Sequence, residues 1–271
     1  MSYIKTKEEM QYILDGGKIL GEILDHLSTL VVAGANAFDI DATAERLIRE
    51  AGGRPAFKGY RQRKSDPKFP STICASKNEE IVHGVATKDK VLQDGDIFSM
   101  DIGMQWPMNC EKGERGNGFF TDTAITVAVG DIDPKITQLL SVTKKSLEIG
   151  INQMQIGNTV EDIGKNIEQY VAPQGYGIVR QLSGHGVGHG VHEDPYVPNY
   201  HDPSLVEWKI EPGVVLAIEP MITMGTHEIE VLDDDWTIVT KDRKLSAHFE
   251  HTIVVTENGP EVATRRPSEK K

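Results

Sequence analysis

Two apolar runs in this chain each end in an acid, and that repetition constrains the fold more than any other feature. Asp94-Gly95 opens a turn, Ile97-Phe-Ser-Met100 follows, and Asp101 closes the run. Pro212-Gly213 opens a similar turn 118 residues on, Val214-Val-Leu-Ala-Ile218 follows, and Glu219 closes it. An acid at the end of a buried strand costs free energy unless it is paired or holds a metal. One such acid is equally well explained as an exposed strand end; two at matching places are not. Asp122 (in Phe120-Thr-Asp122) and Glu250 (in Phe249-Glu250) form a second pair, 128 residues apart, each beside a strand-like run. Folded about a pseudo-twofold axis, the four carboxylates converge on one spot. Like charges at short range repel, so such a spot calls for cations, and hard divalent ions with oxygen and imidazole ligands suit it.

The rest of the chain repeats in the same order. Thr6 with Glu9 makes a capping box, and Met10, Ile13, Leu20, Leu24 and Leu27 follow at helical spacing. A second helix is expected from about Asp39 to Glu50, ending at Gly52-Gly53. Strand-like runs follow at Ser71–Ser76, Ile97–Met104 and Thr121–Val129. After Gly130, Asp133-Pro134 starts a helix that ends near Gly150, and Thr159 starts another that stops before Pro173. Strand-like runs return at Val214–Ile218, Trp236–Thr240 and His251–Thr256. Asn36-Ala-Phe-Asp39 resembles Asn158-Thr-Val-Glu161, 122 residues on, so a pseudo-repeat of helix, helix and strands is expected.

Composition narrows the class. Charged residues make up 26% and hydrophobic residues 38%, which argues for a globular domain rather than a disordered one. The net charge of −12 argues against general nucleic-acid binding, DNA included. No apolar run is long enough for a membrane span, and the N-terminus lacks the apolar core of a secretory signal. Cys74 and Cys110 are too few for a disulfide framework. A soluble cytoplasmic protein, acting as a monomer, is expected.

Gln181–Glu193 holds His185, His189 and His192 among Gly184, Gly186, Gly188 and Gly190. The glycines argue against a helix and for a loop whose backbone approaches a ligand closely. His189 reads as an ordinary loop histidine, while composition alone leaves His185 and His192 open. His83, just before a turn, reads by itself as structural more readily than as catalytic. Two metal ions about 3.5–4 Å apart activate a water and polarise a carbonyl, and flanking histidines then hold substrate and shuttle protons. Nucleophilic or dinucleotide chemistry finds no support: there is no G-x-S-x-G, no P-loop, and no G-x-G-x-x-G after a strand.

Several longer motifs carry a resemblance. They are Asn78-Glu-Glu-Ile-Val-His-Gly84, Asp94–Asp101, Ser183-Gly-His-Gly-Val-Gly188 with Val191-His-Glu-Asp-Pro195, Glu211-Pro-Gly with Ile218-Glu-Pro-Met221, and Trp236–Arg243 with Ser246-Ala-His-Phe-Glu-His-Thr252. From about Ile4 to Glu261 the chain resembles type I methionine aminopeptidases, metal-dependent enzymes of the pita-bread fold. The resemblance implies an α+β fold of two pseudo-symmetric helix-helix-strand halves enclosing a dinuclear metal site. The halves would fall at about 1–130 and 131–263 of one catalytic domain, with a short basic tail at 264–271.

The resemblance further implies that Asp101, Asp122, His185, Glu219 and Glu250 are the ligands of two divalent ions (Co, Mn, Fe or Zn). Asp122 and Glu250 would bridge them, and Glu219 would serve as general base. His83 and His192 would flank the site and contact the scissile peptide, while Tyr60, Cys74 and Trp236 would line a methionine pocket. The implied reaction removes the initiator methionine of nascent proteins and peptides. A small second residue would be favoured, because a bulky one crowds the site.

Arg61–Phe69 and Gln105–Asn117 read as loop insertions relative to that family, and Val191 stands where an aromatic residue is common, which would widen the methionine pocket or alter its selectivity. The basic segments Arg61–Lys68 and Arg265–Lys271 read first as solvated faces, with transient contact to ribosomal RNA as the other reading. An Xaa-Pro aminopeptidase or prolidase is the first rival, but such relatives carry a domain ahead of the catalytic halves, whereas the first helix here starts near residue 6. A non-enzymatic relative is the second; the complete set of ligand types argues against it.

Overall fold

The computed structural model describes residues 3–61, 63–108 and 118–270. Helix α1 (Lys7–Ser28) starts at the capping box, with the Thr6 N–H donating to Glu9 at 2.7 Å. Helix α2 (Ala37–Glu50) starts two residues earlier than Asp39, because the Asn36 side chain accepts the Phe38 N–H at 2.8 Å. Strands β1 (Arg54–Pro55), β2 (Ile73–Lys77), β3 (Glu80–Val82), β4 (Ile97–Trp106) and β5 (Phe119–Ala128) follow. The second half opens with α3 (Pro134–Asn152), capped by Asp133, and α4 (Val160–Val171), capped by Thr159. Its strands begin with β6 (Gly177–Ile178), β7 (Gly184–Gly186), β8 (Glu193–Val197), β9 (Val215–Ile218) and β10 (Met221–Thr223). They continue with β11 (Ile229–Val231), β12 (Ile238–Thr240), β13 (Ser246–His248), β14 (Glu250–Thr256) and β15 (Gly259–Val262).

The fold is α+β, two pseudo-symmetric helix-helix-strand halves on a shared sheet. That sheet runs β1-β4-β5-β14-β9-β7-β8, with β2 also on β4 and β15 also on β14. The halves join where β5 pairs with β14, placing Ala124 opposite Glu250. Two smaller sheets, β13-β10-β6 and β11-β12-β3, complete the strand pairing of the described residues. The second helix of each half begins beside an isolated bridge, Asn36 with Val91 in one and Thr159 with Lys209 in the other.

Period-two alternation decides which side of the sheet is apolar. Phe98, Met100, Ile102 and Met104 of β4 pack with Leu20, Leu24, Ile40 and Ile48 of α1 and α2. Leu216, Ile218, Ile253 and Val255 of β9 and β14 pack with Leu139, Val142, Ile163 and Ile167 of α3 and α4. Each such side chain contributes about 2 kcal/mol of transfer free energy. The helices thus cover one face, and the alternate residues of the same strands are left to build a site on the other.

Three sequence expectations change. Asp101 does not end its strand: the alternation continues through Met104, and β4 stays paired to Trp106 opposite Phe119. The expected insertion at 105–117 therefore begins inside β4, and 109–117, with Cys110, lie outside the described residues. The segment expected as an insertion ends in a core residue: the Phe69 N–H donates to Tyr60 O at 2.9 Å, and Phe69 is buried.

The C-terminal segment is no free basic tail either. A Cβ on Gly17 of α1 would lie 2.7 Å from the Ala263 Cβ, and one on Gly21 2.8 Å from the Thr264 oxygen, so glycine alone lets that segment lie against α1. Arg266 is 1% exposed; it donates to the Ala124 carbonyl at 3.2 Å and to Glu269, which also faces His251 Nε2 at 3.2 Å. Breaking a buried pair by deleting one partner costs about 3 kcal/mol. Arg266→Ala is expected to lower the unfolding free energy by about that amount in a urea titration; a loss below about 1 kcal/mol would show that the pair is solvated like a surface ion pair.

Candidate metal centre

Strand register brings the acids together. Asp101 and Glu250 lie opposite Ala124 from its two sides, one on β4 and one on β14. In a pleated sheet those three side chains share a face, and Asp122, two residues from Ala124, shares it as well. Ala124 is fully buried, and its small side chain leaves room above the row. The backbone under Asp122 is fixed by Thr252, which accepts the Asp122 N–H at 2.9 Å and donates to its carbonyl at 2.8 Å. Ala217 pairs with Thr252 in the adjoining row, and His185 pairs with Ala217. Glu219 follows directly on β9.

His185 is therefore a strand residue, which corrects the loop expected there. Glycine permits it through close approach: a Cβ on Gly184 would lie 2.3 Å from the Ala217 oxygen, and one on Gly186 2.3 Å from the Asp194 oxygen. The His185 Nδ1 is 2.9 Å from the Gly186 carbonyl, to which it donates, so Nε2 carries the lone pair. That Nε2 stands 3.5 Å from Glu219 Oε1 and 3.9 Å from Asp122 Oδ2. Donor atoms of Asp122, His185 and Glu250 all lie within 4.8 Å of one another. His189, read as an ordinary loop histidine, is held outside the site by Glu9 at 2.8 Å.

The electrostatics are those of a cage built for positive charge. Asp101 Oδ1, Asp122 Oδ1 and Glu250 Oε1 are buried without a hydrogen-bond partner among the described residues. Burial pushes the Asp101 carboxyl up to about 6. Burial and then the neighbouring carboxylates hold Asp122, Glu219 and Glu250 well above the usual range, with Arg266 partly offsetting this at Glu250. His185 is pushed down to about 3 by burial and by His192. Acceptor-only groups and one bare imidazole nitrogen fit hard or borderline divalent ions.

A cavity of about 740 Å³ opens onto this cage. Part of its wall is an apolar cluster of Phe57, Phe69 and Cys74, with Val191 and Trp236 packed against that cluster. Phe69 meets Trp236 edge-on at 5.2 Å. His83, at φ 57° after β3, and His192 both line the cavity, and His192 Nδ1 is hydrogen-bonded to the Tyr60 hydroxyl at 3.0 Å. Burial, and secondarily His192, pushes His83 down to about 4, and burial also lowers His192. The residues that the resemblance assigned to the site thus all line one cavity. Two residues that the sequence reading passed over belong with them, Phe57 and Phe69, and their signal was an aromatic residue on each flank of the Lys58–Lys68 polar run. His248, two positions before Glu250, was also passed over; it stands behind the acids rather than on the cavity wall, and neither of its ring nitrogens has a hydrogen-bond partner among the described residues.

Comparison with known proteins agrees with this geometry. The profile of metallopeptidase family M24 matches residues 11–257. The chain is 41% identical to a methionine aminopeptidase of Clostridium acetobutylicum over 264 residues, 97% of this chain and 99% of that one. It superposes on a Thermotoga maritima methionine aminopeptidase with a TM-score of 0.87 at 35% identity, covering 97% and 99% of the two chains. A prolidase from Pyrococcus furiosus shares the fold, with a TM-score of 0.72 at 21% identity over 96% of this chain and 65% of that one.

The raised carboxyls make metal binding pH-dependent. They keep protons that the unfolded chain would release, so the metal-free protein loses stability as pH rises through their folded values. The buried histidines act in the opposite sense, but their effect is complete above their unfolded pKa of about 6.5, so above that pH the raised acids alone set the slope. Divalent ions displace those protons, so Mn(II) should raise Tm more at about pH 8 than at about pH 6. An equal or smaller rise at the higher pH would contradict the cage.

Proposed function

The chain belongs to metallopeptidase family M24, and we propose that it is a methionyl aminopeptidase whose centre is the carboxylate row at the seam of its halves. The carrying observation is the cage of unpartnered buried acids opening directly onto a pocket of aromatic rings and one thiol. It removes the N-terminal methionine of peptides and nascent proteins and favours a small second residue. Relatives named methionine aminopeptidase, 41% identical over nearly the full length of both chains, support this reading.

In this assignment Asp101, Asp122, His185, Glu219 and Glu250 would hold two divalent ions, with Asp122 and Glu250 as the ligands both ions would share. When bound, the ions supply Lewis acidity toward the scissile carbonyl and acidify a water. Glu219 would take the water's proton: burial and then Asp101 and Asp122 push its carboxyl above the usual range, which makes it a stronger base than an exposed carboxylate. His83 and His192, their pKa values lowered, are neutral at pH 7 and offer ring N–H groups to the carbonyl oxygen as charge develops there. Tyr60 holds the His192 ring through its Nδ1. Phe57, Phe69, Cys74 and Trp236 receive the methionine side chain, whose flexible thioether packs well against ring edges and sulfur. The substrate's α-amine lies on the carboxylate side, so one residue is released.

The whole chain acts as one catalytic unit with its halves divided near 130, in the cytoplasm and as a monomer. Among the described residues no helix is long and apolar enough to cross a membrane. A transient contact with ribosomal RNA would rest on Arg61–Lys68 and, at the C-terminal end, on exposed groups such as Arg265 rather than on Arg266, which is buried and paired.

Metal-stripped protein with added Mn(II) should release methionine from Met-Ala-Ser and leave Met-Lys-Ser, Leu-Ala-Ser and Ala-Pro-Ser intact. Cleavage of Ala-Pro-Ser would instead assign Xaa-Pro specificity, and no cleavage with any divalent ion would refute the enzyme reading. Asp122→Asn and Glu250→Gln should each reduce turnover to background while the circular dichroism stays native; retained turnover would sink the bridging assignment. His192→Ala should cut turnover about a hundredfold with metal content unchanged, whereas loss of metal would make His192 a ligand.

A further inference from the structure

His248 has no part in the chemistry above, yet its ring is 1% exposed and neither nitrogen has a hydrogen-bond partner among the described residues. It closes β13, where its register sets it opposite Met221, two residues after Glu219. Its Nε2 lies 3.6 Å from Glu219 Oε2, while His185 Nε2 lies 3.5 Å from Oε1. The Glu219 carboxylate is therefore flanked by an imidazole on each oxygen. The two rings are not equivalent. His185 gives its Nδ1 proton to the Gly186 carbonyl and presents a bare Nε2. His248 has no such carbonyl at Nδ1; an imidazole carries at least one N–H, and Nε2 is the nitrogen that faces an acceptor. The backbone beneath it is pinned, with its N–H donating to Thr126 Oγ1 at 2.8 Å and its carbonyl accepting from the same hydroxyl at 2.8 Å.

We propose that His248 is a positioning residue that donates its Nε2 proton to Glu219 Oε2 and so turns Oε1 toward the metal centre. The inference rests on the reading of Glu219 as a metal donor. A glutamate side chain has three rotatable bonds, and a buried N–H with no other acceptor is a strong restraint on where its oxygens settle. Groups that orient a metal-binding side chain in this way typically govern affinity by 10- to 100-fold.

The test is calorimetric titration of metal-stripped protein with Mn(II) alone, across variants verified as folded by circular dichroism. His248→Leu should weaken binding about tenfold or more, and His248→Gln, which keeps an N–H donor, should stay within about threefold of the parent. In a Glu219→Ala background, His248→Leu should add less than about twofold. Should His248→Leu fail to fold, His248→Met carries the same comparison. Native affinity in the apolar variant, while Glu219→Ala is weakened, would overturn the positioning role. A further tenfold loss on top of Glu219→Ala would overturn it too, since His248 would then act independently of Glu219. No loss in Glu219→Ala itself would locate the failure in the reading of Glu219 as a donor.

Discussion

The structure depends on the mutual repulsion of carboxylates set in one patch of a β-sheet. Asp101 and Glu250 face each other across Ala124, Asp122 stands one row away, and Glu219 follows on the adjoining strand. Ionised together in a buried environment they would destabilise the fold, and the unpartnered oxygens show that neighbouring protein groups do not relieve them. Divalent ions do, and they turn a structural liability into a reactive centre. The same cost explains the supporting features: small Ala124 and Ala217 that leave space, Thr252 that fixes the strand under Asp122, and Arg266 placed behind Glu250.

The centre belongs to neither half alone. Asp101 and Asp122 come from the first half, and His185, Glu219 and Glu250 from the second. The apolar pocket is shared as well, with Phe57, Tyr60, Phe69 and Cys74 from one side and Val191 and Trp236 from the other. Joining the halves through β5 and β14 thus assembles the acid row and the apolar pocket in one step. The C-terminal segment seals that joint from behind, through Arg266 on the Ala124 carbonyl and Glu269 on His251.

Much of this was legible in the chain because it is written in alternation and caps. The Thr6–Glu9 box, the Asp133-Pro134 start and the apolar runs before Asp101 and Glu219 each specify local structure by short-range physics. What stayed hidden depends on partners far away in sequence. His185 looked like a loop residue because strand pairing of Gly184–Gly186 is set by β8 and β9, not by local propensity. Asp101 closed a continuous apolar run and so resembled a strand end, whereas β5 keeps β4 paired through Trp106. Arg266 looked like a tail charge because its partners Ala124 and Glu269 meet it only in the folded chain. Phe69 was masked by the charged run before it, and His248 by the more familiar residues of its own motif.

The most direct test of the account is a crystal structure grown with Mn(II), using anomalous differences at the manganese edge. The account predicts two peaks, both enclosed by Asp101, Asp122, His185, Glu219 and Glu250. Peaks elsewhere, or full occupancy of that row by water with manganese present, would contradict it.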